Sequence, residues 1–145
     1  MKTQKITLSL LVMLAIILSA TVVAAGDFGW TKDLNIRAEA DSNGFRAQLS
    51  TRFKIGNAQV QVVLGNVDSP ADAYMVFRLG EMSTKSVDYV LKKYRTEKNK
   101  GWGVLAKSLG IKPGSKEFQA LKEGSDIYGK TDKGKGKKKN KSKGK

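Results

Sequence analysis

Apolar side chains recur along this chain with two different spacings. The helical spacing is clearest in the second half. Trp102, Leu105, Ala106 and Leu109 stand at i, i+3, i+4 and i+7, one face of a helix. Gly110 supplies a left-handed residue to end that helix, and Ile111 is placed to fold back on it. Pro113 and Gly114 keep the helix from resuming, and Ser115 starts another that carries Phe118 and Leu121 on one side. Upstream, Val87, Val90, Leu91 and Tyr94 repeat the stripe over residues 86–96. Asp88 sits in the first turn there, and Lys92, Lys93 and Arg95 in the last, each favourable to the helix dipole. Residues 68–82 predict a further helix. Ser69 is its cap, Pro70 its first residue and Asp72 its capping-box acid, with Met75, Leu79 and Met82 on one face and Tyr74 and Phe77 beside them. Gly80 weakens that helix by roughly 1 kcal/mol relative to Ala, which predicts a close helix contact at that point.

The other spacing is two. Over residues 30–53, Leu34, Ile36, Ala38 and Ala40 alternate with polar residues, and so do Phe45, Ala47, Leu49 and Phe53. Asp41, Ser42, Asn43 and Gly44 lie between the runs, and Asn-Gly is the preferred reversal for antiparallel strands. The reading is a β-hairpin with one apolar and one charged face, packed on helices because a lone hairpin is marginal in water. Residues 57–64 fit two readings. Val60, Val62 and Leu64 alternate as in a strand, whereas Asn57 and Gly65 suit the two ends of a helix.

Charge is distributed unevenly. The chain of 145 residues has 27 Lys and Arg against 13 Asp and Glu, a formal net charge of +14. Nine of the lysines are Lys130, Lys133, Lys135, Lys137, Lys138, Lys139, Lys141, Lys143 and Lys145, accompanied by a single acid, Asp132. Residues 26–129 hold 16 basic and 12 acidic side chains, so the extreme balance belongs mainly to the tail. Residues 130–145 have no apolar side chain to bury and are expected to stay disordered. Residues 1–25 read as a signal peptide: Lys2 and Lys5, an uncharged apolar run, then Val23, Ala24 and Ala25 before Gly26. The competing reading is an uncleaved anchor; either places the rest outside the cytoplasm, in the periplasm or beyond. Between leader and tail, residues 26–129 are expected to form one domain. The chain has no Cys and no His, which excludes disulfides, thiol nucleophiles, most zinc and copper sites and the usual catalytic triads.

The stretch GWGVLAKSLGIKPGSKEFQAL, residues 101–121, resembles the motif GWG-x-x-AK-x-LGIKPGS-x-EF-x-x-L of a family of small exported bacterial proteins. The resemblance covers about residues 30–122 and is strongest over 69–121. It implies an envelope-located, mostly helical domain, lends no catalytic or binding residues, and tips residues 57–64 toward a short helix.

Several groupings could carry function. Lys98, Lys100, Gly101 and Gly103 place lysines and backbone N–H groups around a helix start, where a phosphate or carboxylate could sit. The structural alternative is that the glycines let the chain turn while Trp102 enters the core. The spacing is not that of a nucleotide-binding loop. The pair of helices in residues 104–121 has a helix-turn-helix look with Lys116, Gln119 and Lys122 on the second, but Glu117, Glu123 and the Pro-Gly turn, together with export, argue against specific DNA recognition. Trp102, Tyr74, Phe77, Tyr94 and Phe118 read as core, and Tyr89, off its helix's stripe, as exposed. Asp72, Glu81, Asp88, Glu97 and Glu117 show no acid–base spacing, so no catalytic residue, cofactor or metal is expected.

The resulting expectation is an α+β, mostly α fold: an N-terminal β-hairpin packed on about four short helices, closing around Trp102. The expected function is an exported non-enzymatic binding or structural module. Its body would meet an envelope component or protein partner, and its basic tail an anionic surface or polymer. The alternatives are a nucleic-acid-binding helix-turn-helix-like module and an envelope enzyme.

Overall fold

Burial in the computed structural model, which describes residues 28–128, concentrates on one helix. The described residues form seven α-helices: α1 Trp30–Ala40, α2 Ser42–Phe53, α3 Asn57–Leu64, α4 Pro70–Ser83, α5 Val87–Glu97, α6 Trp102–Ser108 and α7 Lys116–Glu123. A 3-10 turn, Lys98–Lys100, joins α5 to α6. In α4, Ala71, Ala73, Tyr74, Met75, Val76, Phe77, Leu79 and Gly80 are all buried. A helix apolar on nearly every side has to lie inside, and α1, α3 and α5 pack around it. The Ser69 hydroxyl caps α4 by accepting from the Asp72 N–H, as its sequence predicts.

The expected β-hairpin is absent: residues 30–53 are the helices α1 and α2, and no strand occurs among the described residues. The alternating pattern concealed a period of four. Leu34 and Ala38 are buried on α1, and Phe45 and Leu49 on α2, with Phe53 half-buried a turn later. Ile36, which a strand would have placed beside Leu34, is 65% exposed. Ala, Arg and Leu recur in these segments and hold helix well, whereas only Thr31, Ile36 and Thr51 are β-branched residues that favour strands. The Asp41–Gly44 segment is a helix start rather than a hairpin turn. Asp41 Oδ1 accepts from the Gly44 N–H at 2.8 Å. A Cβ at position 44 would come within 2.0 Å of Asp41 Oδ2, so glycine is what lets the carboxylate close over the helix end.

The tight neighbour of Gly80 is the turn after α4 rather than the second helix its sequence predicts; a Cβ there would meet Val90 of α5 only at an ordinary contact distance of 3.9 Å. The Lys85 N–H donates to the Gly80 carbonyl at 3.1 Å, and a Cβ on Gly80 would lie 3.2 Å from the Lys85 carbonyl oxygen. The chain reverses there through Thr84, which adopts the left-handed conformation. α6 ends in a Schellman motif: Ile111 N–H to the Ala106 carbonyl and Gly110 N–H to the Lys107 carbonyl, each 3.0 Å, with Gly110 at φ +90°. Ile111, Phe118, Leu121 and Ile127 then join the core. Trp102 is a second correction. It lies half-buried at the core's margin and stacks on Tyr94, ring centroids 5.5 Å apart. The aromatic centre is instead Tyr74, which meets Trp30 edge-on at 5.6 Å and Phe53 at 5.7 Å.

Candidate functional site

Two polar constellations flank the core, each built on a buried tyrosine. The first begins at Asp68, just before α4. The Asp68 N–H donates to the Tyr94 hydroxyl at 3.2 Å, and that hydroxyl donates onward to Asp72 Oδ2 at 2.8 Å. Lys98 Nζ reaches Asp68 Oδ2 at 2.5 Å and lies 5.7 Å from the centre of the Tyr94 ring. Arg95 donates to the Asn66 side chain beside it. The electrostatics differ between the two carboxylates. Hydrogen bonding and charge from Lys98 hold Asp68 below the ordinary aspartate value. Burial pushes Asp72 up, more than hydrogen bonds from the Tyr94 and Ser69 hydroxyls can offset.

This corner contains the residues singled out for anion binding. Lys98 is already joined to Asp68, and the positive charge of Lys100 helps hold the Glu97 carboxylate below its ordinary value, behind the larger contributions of Ser108 and Lys93. Gly101 has φ +88° and turns the chain from the 3-10 segment into α6, and Gly103 lies inside the first turn of α6. The structure therefore brings Lys98, Lys100, Gly101 and Gly103 to one corner, but alongside carboxylates that would compete with an anion. The sequence places the Tyr94 ring in the core but assigns no role to its hydroxyl or to Asp68, which lies 26 positions away and shares no local spacing with it.

The second constellation ties the C-terminal segment to the bundle. Arg52, at the end of α2, donates from Nη1 and Nη2 to the two oxygens of Glu81 on α4, at 2.9 and 3.0 Å. Its Nε donates to Asp126 Oδ2 at 2.8 Å. Arg78 reaches Glu81 at 2.5 Å and Asp126 at 3.6 Å. The Tyr74 hydroxyl donates to Asp126 Oδ1 at 3.1 Å and accepts from the Asp126 N–H at 3.3 Å. Burial raises Asp126, but hydrogen bonding from Arg52 and the charges of Arg78 and Arg52 outweigh it, so the carboxyl stays below its ordinary value. Glu81 is held down chiefly by the Arg52 hydrogen bonds. Tyr74 is pushed up to about 12 by burial and by the Asp126 charge. With Ile127 in the core and Arg37 5.6 Å from the centre of the Tyr128 ring, residues 124–128 are fixed against α1, α2 and α4.

The helix-turn-helix expectation fares differently. α6 and α7 are separated by residues 109–115, longer than the three- or four-residue turn of DNA-reading pairs. Lys122 is half-buried with its ammonium 6.0 Å from the Phe118 ring centre, while Lys116 and Glu117 are both exposed, so α7 lacks an uninterrupted basic face. Among the described residues no group of acidic side chains has the arrangement to hold a metal ion, and no helix is long and apolar enough to cross a membrane. The predicted signal peptide, residues 1–25, and the nine lysines of residues 130–145 lie outside the described residues. Comparison with protein-family models, curated proteins and solved structures finds no match to this chain.

Proposed function

We propose that the protein is an exported, non-enzymatic binding or structural module of the bacterial envelope whose basic tail is attracted to anionic surfaces or polymers. The observation that carries this reading is the separation of charge along the chain. Lys130, Lys133, Lys135, Lys137, Lys138, Lys139, Lys141, Lys143 and Lys145 follow a body that is only mildly basic. The body supports it in two ways. The Arg52–Asp126–Tyr74 clamp fixes the segment immediately before the tail, so a tethered polymer would hold the folded unit at a defined end. The charged groups around the core are also spent on one another. Arg52, Arg78, Glu81 and Asp126 form one network and Asp68 and Lys98 a pair, which leaves them engaged in structure rather than poised for proton transfer. A protein partner for the body is compatible with this reading.

Binding to anionic liposomes and to a phosphate polymer tests it across a salt series. The full chain is compared with a form in which the nine tail lysines are glutamine. The expected result is weaker binding and a log–log salt slope shallower by about 0.7–0.9 for each phosphate that a tail lysine neutralises. Unchanged affinity and slope would reject the tail's role.

A further inference from the structure

We infer that the exposed side of α5, from Lys85 in the turn before it through Tyr89 and Lys92 to Thr96, is a docking face for an anionic lipid bilayer surface. This rests on the envelope-module reading and names the part of the body that would take part.

Tyr89 is 44% exposed and is the only aromatic side chain among the described residues to stand that far into solvent. Lys85 Nζ lies 5.9 Å from the centre of its ring. Lys92 and Thr96 follow at i+3 and i+7, which sets them on the same side of the helix, and both are exposed. The opposite side holds Val90, Leu91 and Tyr94 in the core, so the stripe cannot turn inward. Thr96 satisfies its hydroxyl within the helix by donating to the Lys93 carbonyl at 3.0 Å. At the margins, Lys93 is neutralised by Glu97 at 3.2 Å, and Asp88 occupies the first turn, where it favours the helix dipole. No ion pair joins Asp88 to Lys92 among the described residues.

An exposed tyrosine between lysines suits the boundary between water and lipid. The ring occupies the headgroup layer while the lysine stems extend alongside it and deliver their ammonium groups to phosphates. The charge is complementary to an anionic leaflet, and each lysine within a Debye length strengthens attachment about five-fold. The shape also favours a broad surface over a nucleic acid. The stripe lies on the solvent side of α5, and the Lys85 ammonium, 5.9 Å from the ring centre, leaves one face of Tyr89 less open to a stacking base.

The test is vesicle co-sedimentation of the full chain with phosphatidylglycerol–phosphatidylcholine mixtures. Lys85→Gln with Lys92→Gln is compared with a control pair of equal charge change, Lys32→Gln with Lys54→Gln, and circular dichroism checks that each stays folded. The α5 pair is expected to weaken binding between about five- and thirty-fold, and the control pair by much less. A Tyr89→Trp form is expected to blue-shift its emission on anionic vesicles and not on phosphatidylcholine alone. Equal losses from the two pairs would overturn the inference, as would equal losses of the α5 pair toward vesicles and toward a phosphate polymer or single-stranded oligonucleotide. Repeating the α5 pair in the tail-glutamine chain separates the two readings. A persistent α5 effect with no tail effect supports the docking face and rejects the tail, whereas a tail effect alone rejects the docking face and leaves the tail reading intact.

Discussion

Tyr74 and Tyr94 perform the same task on two sides of the molecule in opposite electrostatic settings. Each ring is almost fully buried. Each hydroxyl accepts from a backbone N–H in a connecting segment and donates to a carboxylate: Asp126 for Tyr74, with the N–H and the carboxylate on one residue, and Asp68 with Asp72 for Tyr94. The difference lies in the cations. Arg52 and Arg78 both reach the Tyr74 partner, so Asp126 is held ionised. At Tyr94 the one nearby ammonium, Lys98, pairs with Asp68 instead, so Asp72 carries the cost of burial without a cation and its carboxyl is raised. A latch made from one pair of groups can thus gain or lose from ionisation according to where the nearest guanidinium or ammonium falls.

The largest effect expected from breaking this comparison comes from removing either ring. Tyr74→Ala and Tyr94→Ala should each cost about 3–5 kcal/mol by leaving a cavity and orphaned partners. Chemical denaturation measures the loss, and tryptophan fluorescence distinguishes the sides. Trp102 stacks on Tyr94, whereas Trp30 meets Tyr74 edge-on, so a Trp102→Phe background should report only the Tyr74 change and a Trp30→Phe background only the Tyr94 change. If both backgrounds respond equally to both substitutions, the two latches are not separate.

A smaller effect is expected from the arginine side. Arg52→Ala removes the two-pronged bond to Glu81 and the bond to Asp126, and its groups are partly exposed, so about 1–2 kcal/mol is expected at neutral pH. The pH dependence has a definite sign. Asp126 and Glu81 have folded-state values below their ordinary ones. The stability they contribute is therefore present above the ordinary carboxylate range and is lost as pH falls through it toward the folded values. Urea unfolding between pH 7 and pH 3 should show wild type and Arg52→Ala converging as the medium is acidified. A constant gap across that range would mean that the guanidinium acts through packing on Phe53, 4.8 Å away, rather than through its carboxylates.

The two sides also differ in how far the sequence disclosed them. The caps and turns read in residues 69–121 translated directly into structure, because Ser69, Gly110 and Ser115 act on neighbours within a few positions, although Trp102 at the head of its stripe stays at the core's margin. The N-terminal pair did not, because Leu34–Ala38 and Phe45–Leu49 satisfy a period of two and a period of four at once, and only packing on α4 decides between them. Reading Asp41 as a cap for Gly44, rather than Asn43-Gly44 as a turn, would have given the helix. The centre of the core was misplaced for a related reason. Trp102 has the larger ring, but α4 is buried on nearly every side and gathers the rest. The polar constellations were least legible. Arg52, Glu81 and Asp126 are brought together from sequence separations of 29 and 74, and no local pattern encodes such a meeting. The lysine, Gly101 and Gly103 grouping was visible as a cluster, whereas the carboxylates that occupy its lysines were not.

The smallest expected effect is the sharpest discriminator. Asp72→Asn keeps a carbonyl oxygen for the Tyr94 hydroxyl and removes a negative charge that burial disfavours. A raised folded-state value means that the protonated carboxyl is the one the fold prefers. Stability at this position is therefore greatest below the ordinary aspartate value and declines as pH rises through the raised one. The Asn variant, uncharged at every pH, should be within about 0.5 kcal/mol of wild type at pH 7 and should lose its relative standing as pH falls toward 4. Asp126→Asn should behave in the reverse sense, clearly weaker at pH 7 and closing on wild type in acid, because its carboxylate is the form Arg52 and Arg78 hold. Parallel denaturation series on the two variants need only the sign of each slope. Two slopes of the same sign would show that the cations do not set the tyrosine latches apart.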